Sequence, residues 1–165
     1  MPIRPYRPND FPTLFAANEA SVPGVGAETE SSLAKWIALS TCLVATDAGD
    51  QPLGFVTVME LGQPDYDSPN MRWFETYAAE TGKSVVYVDR IALLPGARGQ
   101  RLGEALYEAA FARFADRDEI GCEVNTLPDN PGSHRFHKRI GFNQVGEAVY
   151  RAGEKAVAFY TRPLS

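Results

Sequence analysis

The sequence predicts an α/β (α+β) fold in which a mixed sheet carries helices packed on its faces. Three observations lead there. Runs rich in β-formers alternate with stretches of helical periodicity in the order β-α-α-β-β-(α)-β-α-β-α-β-β. A strong strand over residues 84–94 passes through a glycine-bearing turn directly into a helix over 103–115. The chain then closes on two β-rich runs around Ala152-Gly153. At 165 residues it suits one hydrophobic core, so residues 1–165 are expected to form one domain.

Each element has a local reason. Residues 3–7 read as a short strand and Pro8 suits the turn after it. Asn9 and Asp10 are placed to cap a helix running toward Ala20, with Phe11, Leu14, Phe15 and Asn18 along its inner face. The breaker-rich segment 21–26 is irregular, and a second helix over 30–39 carries Leu33, Trp36, Ile37 and Ser40 at helical spacing. The runs 41–46 and 53–59 flank Asp47-Ala48-Gly49-Asp50 and read as a β-hairpin. Residues 62–83 depart from alternation and suit a loop plus a short helix bearing Met71, Phe74, Tyr77 and Ala78. The helix over 103–115 lines up Leu102, Leu106, Ala110 and Phe114. A strand over 119–125, a helix over 131–140 and strands over 142–150 and 155–161 complete the order, with no repeat or low-complexity tract.

Composition excludes several classes of function. Hydrophobic residues at 44% and charged residues at 22% describe an ordinary globular core rather than a disordered chain. A net charge of -5 argues against a nucleic-acid partner, which needs concentrated Lys and Arg. Cys42 and Cys122 match neither a metal-ligand spacing nor a disulfide framework, so both are expected to be small buried hydrophobes, with no metal, in a reducing cytoplasmic setting. The start Met1-Pro2-Ile3-Arg4-Pro5 has no apolar core of a signal peptide, and no stretch reaches the ~18 apolar residues of a membrane span. A soluble, unprocessed protein without a membrane partner is the expectation.

The stretch Leu93-Leu94-Pro95-Gly96-Ala97-Arg98-Gly99-Gln100-Arg101-Leu102-Gly103 joins the clearest strand to a strong helix. A helix begins with N–H groups that lack intrahelical partners and with a partial positive charge, so a phosphate suits this junction. Arg98 adds a charge-assisted contact, while Gly99 and Gly103 allow the backbone to approach closely. The same residues also suit a tight turn with solvated arginines, and the loop alone leaves both readings open. Neither Gly-x-x-x-x-Gly-Lys-Ser/Thr nor Gly-x-Gly-x-x-Gly occurs.

This loop resembles the signature of the GNAT superfamily of N-acetyltransferases, Gln/Arg-x-x-Gly-x-Gly/Ala after a strand, with Arg101 standing where the signature has glycine. A second stretch agrees with it in order and separation. Asn130-Pro131-Gly132-Ser133-His134-Arg135-Phe136-His137-Lys138-Arg139-Ile140-Gly141-Phe142 resembles the family pattern Asn-x-x-Ala/Ser-x-x-Leu/Phe-Tyr/His-x-Lys/Arg-x-Gly-Phe. In physical terms Asn130 caps a helix with Pro131 at its first position, and Gly141 ends it in a left-handed conformation. The resemblance covers roughly the C-terminal half. It implies a GNAT-like, mostly antiparallel central sheet with helices on both faces, and acetyl-CoA (coenzyme A) as cofactor. The implied cofactor contacts are Ile91, Ala92 and Leu93 beside the pantetheine and acetyl carbonyl. Arg98, Gly99, Gln100, Arg101, Leu102, Gly103 and Glu104 are implied at the pyrophosphate, and Asn130, Ser133 and His137 in the second motif. Arg101 is expected to take a helical φ, its side chain outward or toward a phosphate.

The implied activity is that of a transferase moving acetyl onto a primary amine of a small molecule or peptide by direct attack, without metal or covalent nucleophile. Asp89, just before the cofactor strand's end, is the first candidate for general base; an ion pair with Arg90 is the alternative, and Glu60 and Glu123 are reserves. His137 falls where many family members carry a tyrosine that protonates the departing thiolate. An imidazole near its usual pKa of ~6.5 preserves that chemistry, whereas a packing histidine is the bland reading, and His134 lacks the match. The segments 21–27 and 62–83 are expected to wall the acceptor site. Asp65, Asp67, Glu75 and Glu80 with Tyr66, Trp73, Phe74 and Tyr77 suit a cationic amine, or equally a solvated acidic face over core aromatics. A non-catalytic acyl-CoA sensor or regulatory subunit is the rival function, disfavoured by Asp89 and His137. Many relatives pair, so a homodimer is expected.

Overall fold

The structure, a computed structural model, describes residues 2–164; Met1 and Ser165, the ends of the expected domain, lie outside the described residues. The strands are β1 (Ile3–Pro5), β2 (Thr41–Thr46), β3 (Pro52–Glu60), β4 (Val85–Leu93), β5 (Glu119–Leu127), β6 (Asn143–Tyr150) and β7 (Lys155–Pro163). The helices are α1 (Phe11–Ser21), α2 (Glu30–Ala38), α3 (Pro69–Thr81), α4 (Leu102–Arg113) and α5 (Pro131–Arg139). All seven strands form one sheet in the order β1-β2-β3-β4-β5-β7-β6. Only β4 and β5 run parallel; every other neighbouring pair is antiparallel. The expected mixed, mostly antiparallel sheet is therefore the one observed.

Alternation along the central strands places helices on both faces, as expected. Val56, Val58, Val86 and Val88 face α4, whose Leu102, Leu106 and Ala110 are essentially inaccessible to solvent. On the opposite face α1 and α2 cover Val44 and Phe55, and α3 covers Met59, Tyr87 and Phe159. Trp73 of α3 stacks on Phe159 with centroids 4.0 Å apart.

Three local details differ from the reading of the sequence. Asp10 is not a side-chain cap: its carboxylate accepts from Arg4 Nη1 and Nη2 at 2.8 and 2.9 Å and from the Arg7 amide at 2.8 Å, tying β1 to the start of α1. Helix α3 runs 13 residues rather than a short stretch, because Ser68 caps it, Pro69 occupies the first turn where its missing N–H costs nothing, and Gly82 ends it at φ 70°. In α1 the fully buried positions are Leu14, Ala17 and Asn18, with Phe11 and Phe15 only partly covered. No helix among the described residues is long and apolar enough to cross a membrane.

Two irregularities shape the centre of the sheet. The consecutive residues Thr57 and Val58 of β3 pair with Arg90 and Val88, which leaves Asp89 as an extra, bulged residue in β4. On its other edge β4 meets β5 only through Val85–Glu119, Val86–Ile120 and Tyr87–Gly121, after which the two strands part. Gly121, the last residue of β5 that pairs with β4, lies against the fully buried Phe74 ring: a Cβ there would come within 2.5 Å of it. Gly121→Ala is therefore expected to destabilise the protein by about 1–3 kcal/mol through overpacking, read as a lower urea midpoint with unchanged slope.

Candidate active site

Beyond the end of β4 the chain turns into α4 and forms a cleft of about 470 Å³. It gathers Ile91, Ala92 and Leu93 of β4, Arg98, Gly99 and Arg101 of the turn, Leu102, Gly103 and Glu104 of α4, and Ser133 of α5. Most of the expected cofactor residues thus share one wall. Gln100 does not: its side chain folds back to donate to the Gly96 carbonyl at 3.3 Å. Gly99 sits at φ 79°, a conformation that glycine adopts freely. Arg101 departs from the expected helical φ: it is the residue before α4 and sits left-handed at φ 60°, ψ 23°. Here the position where the signature has glycine is left-handed, and an arginine bears that conformation. No side chain caps α4, so its first-turn amides remain open toward the cleft, and Arg98, Arg101 and Arg139 line it. Open amides together with guanidinium groups fit a polyphosphate. A Cβ at Gly103 would stand 3.4 Å from the Phe136 ring, close to an ordinary contact, so the packing of α4 on α5 does not itself demand glycine there.

A second cleft of about 830 Å³ adjoins the first and shares Ser21, Ile91, Arg98 and Ser133 with it. It opens where β4 and β5 part. Asp89 lines it, but both carboxylate oxygens are engaged: Oδ1 accepts from the Tyr66 hydroxyl and Oδ2 from Arg90 Nε at 2.8 Å. Arg90, itself buried, also contacts Glu28 at 3.1 Å, Asn18 Oδ1 at 2.9 Å and the Gly26 carbonyl at 3.3 Å, which fixes the 22–29 loop to the bulge. The ion-pair reading of Asp89 is the one observed. Glu60 is paired with Arg117 at 2.5 and 2.7 Å and does not line the cleft.

Glu123 of β5 lines the cleft where β4 and β5 part. Its Oε1 accepts from Asn70 Nδ2 at 2.8 Å and from the Tyr87 hydroxyl, and it faces the gap between the strands. Burial pushes its carboxyl up to about 7, and the nearby Asp89 charge acts in the same direction. Cys122 also lines the cleft, but burial raises its thiol far above the usual range, so it offers no nucleophile.

Helix α5 is built as its motif implies: Asn130 Oδ1 accepts from the Ser133 amide at 3.3 Å, Pro131 sits in the first turn and Gly141 is left-handed at φ 103°. Asn130, Ser133 and His137 all line the larger cleft. His137 is 4% exposed, and burial lowers its pKa to about 4. Its Nδ1 lies 2.8 Å from the Ser133 carbonyl, which can only accept, so the proton is assigned to Nδ1. Nε2 then accepts from the Tyr107 hydroxyl at 2.7 Å. This corrects the expectation of an imidazole titrating near its usual value: His137 is neutral, with its one proton already committed. His134 is tied to Tyr160 and to the Asn125 carbonyl at 2.7 and 2.9 Å.

The acceptor walls fall partly where expected. Ser21, Gly24 and Gly26 line the cleft on one side, and Tyr66, Asp67, Pro69 and Asn70 on another. The acidic, aromatic helix does not. Trp73, Phe74 and Tyr77 pack in or against the core, Glu75 pairs with Arg72 at 2.5 Å, and Asp65 and Glu80 are exposed outside the cleft. Arg151 and Lys155, at the β6–β7 turn, line the cleft instead. Sequence reasoning missed Asn70, Tyr107, Tyr150, Arg151 and Lys155. Tyr107 alone carried a signal, standing four residues after Gly103 on the side of α4 that meets α5.

Residues 12–142 match the acetyltransferase (GNAT) family. A phosphinothricin N-acetyltransferase of Streptomyces coelicolor is 35% identical over 128 residues, which are 73% of this chain and 64% of that protein. The chain thus spans less than two thirds of that relative's length. Among solved structures, the ribosomal-protein-S18-alanine N-acetyltransferase of Escherichia coli superposes with a TM-score of 0.72 at 16% identity, covering 99% of this chain and 94% of the other. A GNAT superfamily phosphinothricin acetyltransferase of Sinorhizobium meliloti in complex with AcCoA gives 0.72 at 19% identity, covering 99% and 88%. At these identities the two structures share the fold.

Two outcomes follow from this geometry. Arg101→Gly removes the left-handed strain of a side-chain-bearing residue, about 1 kcal/mol, and is expected to raise the Tm of the ligand-free protein by roughly 2–4 °C in a thermal melt. The second concerns pH. An unfolded histidine binds a proton below 6.5 that His137 refuses until about 4, so its contribution to stability is lost as pH falls through that window. Glu123 acts with the opposite sign: folded, it keeps its proton up to about 7, whereas unfolded it releases it near 4.5, so its contribution is lost as pH rises. Urea midpoints of Glu123→Gln are therefore expected to gain on those of the parent steadily from pH 4.5 to 7. A constant offset between the two proteins would mean that Glu123 titrates in the folded state as it does unfolded.

Proposed function

The chain belongs to the acetyltransferase (GNAT) family, and from that premise we propose that it moves the acetyl group of acetyl-CoA onto an amine of a small molecule or peptide by direct attack. One observation carries the reading. The arginine-lined cleft at the start of α4 opens into the gap between β4 and β5, and a carboxyl titrating at about 7 faces that gap.

When bound, acetyl-CoA supplies the acetyl group as a thioester, an acyl group activated for attack by nitrogen. Arg98, Arg101, Arg139 and the open amides of α4 would hold its pyrophosphate. Beyond Tyr87 the β5-facing edge of β4 has no strand partner, so backbone groups near Ile91 and Ala92 are available to the pantetheine and to the acetyl carbonyl oxygen. A fixed N–H donor there stabilises the negative charge that develops on that oxygen better than mobile water does.

Glu123 handles the protons. An acceptor arriving as ammonium sheds one proton to solvent before attack; Glu123 takes the second from nitrogen as the amide bond forms. At about 7 its carboxyl is more acidic than an ordinary thiol at ~8.5, so it releases that proton, through solvent in the cleft, to the departing sulfur. Amide and thiol are the products, and Glu123 returns to its starting state. Asp89 raises the Glu123 pKa by its charge, and neutral His137 holds the Tyr107 hydroxyl in place. This assignment replaces Asp89 as base and His137 as acid.

Glu123→Gln is expected to lower turnover by roughly 10²–10⁴-fold, as for loss of a general base, with coenzyme A affinity unchanged. The parent rate, followed by thiol release over an amine panel, rises with pH through about 7, and this limb is absent in the variant. A limb falling near 6.5 that disappears in His137→Phe would instead return the acid role to the imidazole. Coenzyme A binding with no thiol release from any amine would identify a sensor.

A further inference from the structure

We propose that Asn70 is a positioning residue for Glu123: its amide, anchored by the Tyr150 hydroxyl, reserves Oε1 of the carboxyl group and leaves Oε2 to exchange protons with the acceptor nitrogen and the departing sulfur. This rests on the acetyl-transfer reading above. The helix start that carries Asn70 is itself fixed. Ser68 caps α3 by accepting from the Met71 amide at 3.2 Å, and Arg72 donates to the Gln63 and Tyr66 carbonyls at 2.7 and 2.6 Å. From this base Asn70, in the first turn, reaches Glu123 on β5, 53 residues later in the chain.

A carboxylate oxygen accepts and an amide nitrogen donates, which settles how the Asn70 amide is turned. Nδ2 donates to Glu123 Oε1 at 2.8 Å, and Oδ1 accepts from the Tyr150 hydroxyl at 2.8 Å. The Tyr87 hydroxyl donates to the same Oε1. Two donors thus converge on one oxygen, and among the described residues none donates to Oε2. The two donors are not equivalent. A hydroxyl can rotate from donor to acceptor and would tolerate a proton on Oε1, whereas an amide nitrogen cannot accept and would meet that proton with its own. Asn70 is therefore the group that keeps the proton off Oε1. Glu123 is half-buried and lines the larger cleft, so the oxygen without a protein partner is the one a reactant there can reach.

During transfer Oε2 takes the proton from nitrogen as the C–N bond forms and the C–S bond breaks, then gives it up through solvent in the cleft to the sulfur. The titratable groups that feel the Glu123 charge are Tyr87 and Asp89 of β4, Cys122 of β5, Tyr107 of α4 and Tyr150 of β6. Asp89 is ion-paired with Arg90, and burial pushes the thiol and the three phenols up, so these four remain neutral near pH 7. Arg151 and Lys155 of the β6–β7 turn line the same cleft. A donor to the ionised carboxylate favours that form, so Asn70 acts against burial and the Asp89 charge, and its loss moves the titration of Glu123 upward.

The test follows the carboxyl itself as well as the rate. In protein carrying isotope-labelled glutamate, the Glu123 carboxyl signal, identified by its absence in Glu123→Gln, reports the titration by NMR. Asn70→Leu keeps the side-chain bulk and removes the donor. Its Glu123 midpoint is expected to move up from about 7 by about one pH unit, the lower end for a charge-assisted hydrogen bond, and the rising limb of kcat to move with it. At pH 7 kcat falls by roughly tenfold, with KM for the best amine of the panel and coenzyme A affinity within about twofold of the parent. Tyr150→Phe moves midpoint and limb in the same direction by less, and the double variant matches Asn70→Leu alone, because the hydroxyl acts only through the amide. Circular dichroism reports that each variant is folded. An unmoved midpoint in folded Asn70→Leu would overturn the proposal, as would effects of the two substitutions that add. A midpoint that moves while the rate limb stays would remove Glu123 as the base, and this proposal with it. Absence of thiol release from every amine with the parent protein would overturn the acetyl-transfer premise itself.

Discussion

Strands β4 and β5 pair in parallel over three residues and then separate, and the site depends on that separation. Backbone groups at a buried strand edge ordinarily need partners, and an edge left unpaired inside a domain is costly unless something else satisfies it. Here the edge opens onto a cleft. The bulge at Asp89 bends β4 away, and Arg90 fixes the bend by joining Asp89, Glu28, Asn18 and the Gly26 carbonyl in one buried network. A buried guanidinium is costly unless its charge and its donors find partners, and here two carboxylates face the charge and each nitrogen donates at least once. The same network therefore sets the path of β4, the position of the 22–29 loop and the width of the gap.

Division of charge along the gap follows from the elements that line it. At one end a helix start with three arginines presents positive charge to a polyanion. In the middle, burial keeps His137 neutral and Glu123 close to half-protonated near neutrality, so the reacting region holds little net charge. At the far end the β6–β7 turn brings two cations. Proton transfer suits the middle region because a carboxyl titrating at about 7 can both accept and release a proton at neutral pH.

Much of the architecture was legible from local chemistry. Alternation in β4, the apolar stripe of α4, and the Asn130, Pro131 and Gly141 boundaries of α5 are set by side-chain period and by backbone preferences, and the structure keeps each of them. The cleft at the start of α4 was legible too, because a strand, a turn and a helix start that are adjacent in sequence must also be adjacent in space. Arg101 was harder. Its residue type argues for a helical φ, and only the path of the chain into α4 imposes the left-handed one.

The sequence by itself determined the element order, the sheet with helices on its faces and the 91–104 stretch that lines the cleft at the start of α4, since all of these follow from interactions between near neighbours in the chain. Tertiary structure decided which titratable groups are usable. Asp89 and Glu123 are both carboxylates on central strands, yet one is taken up by Arg90 and Tyr66 and the other faces the gap with its pKa raised. His137 matched a motif, but burial keeps it neutral, the Ser133 carbonyl holds its proton on Nδ1, and Tyr107, thirty residues earlier, donates to Nε2. Arg151 and Lys155 line the same cleft as Asn70 and Glu123 because the sheet order places β7 beside β5. Desolvation and pairing depend on what surrounds a group in space, and residues far apart in the chain supply those surroundings.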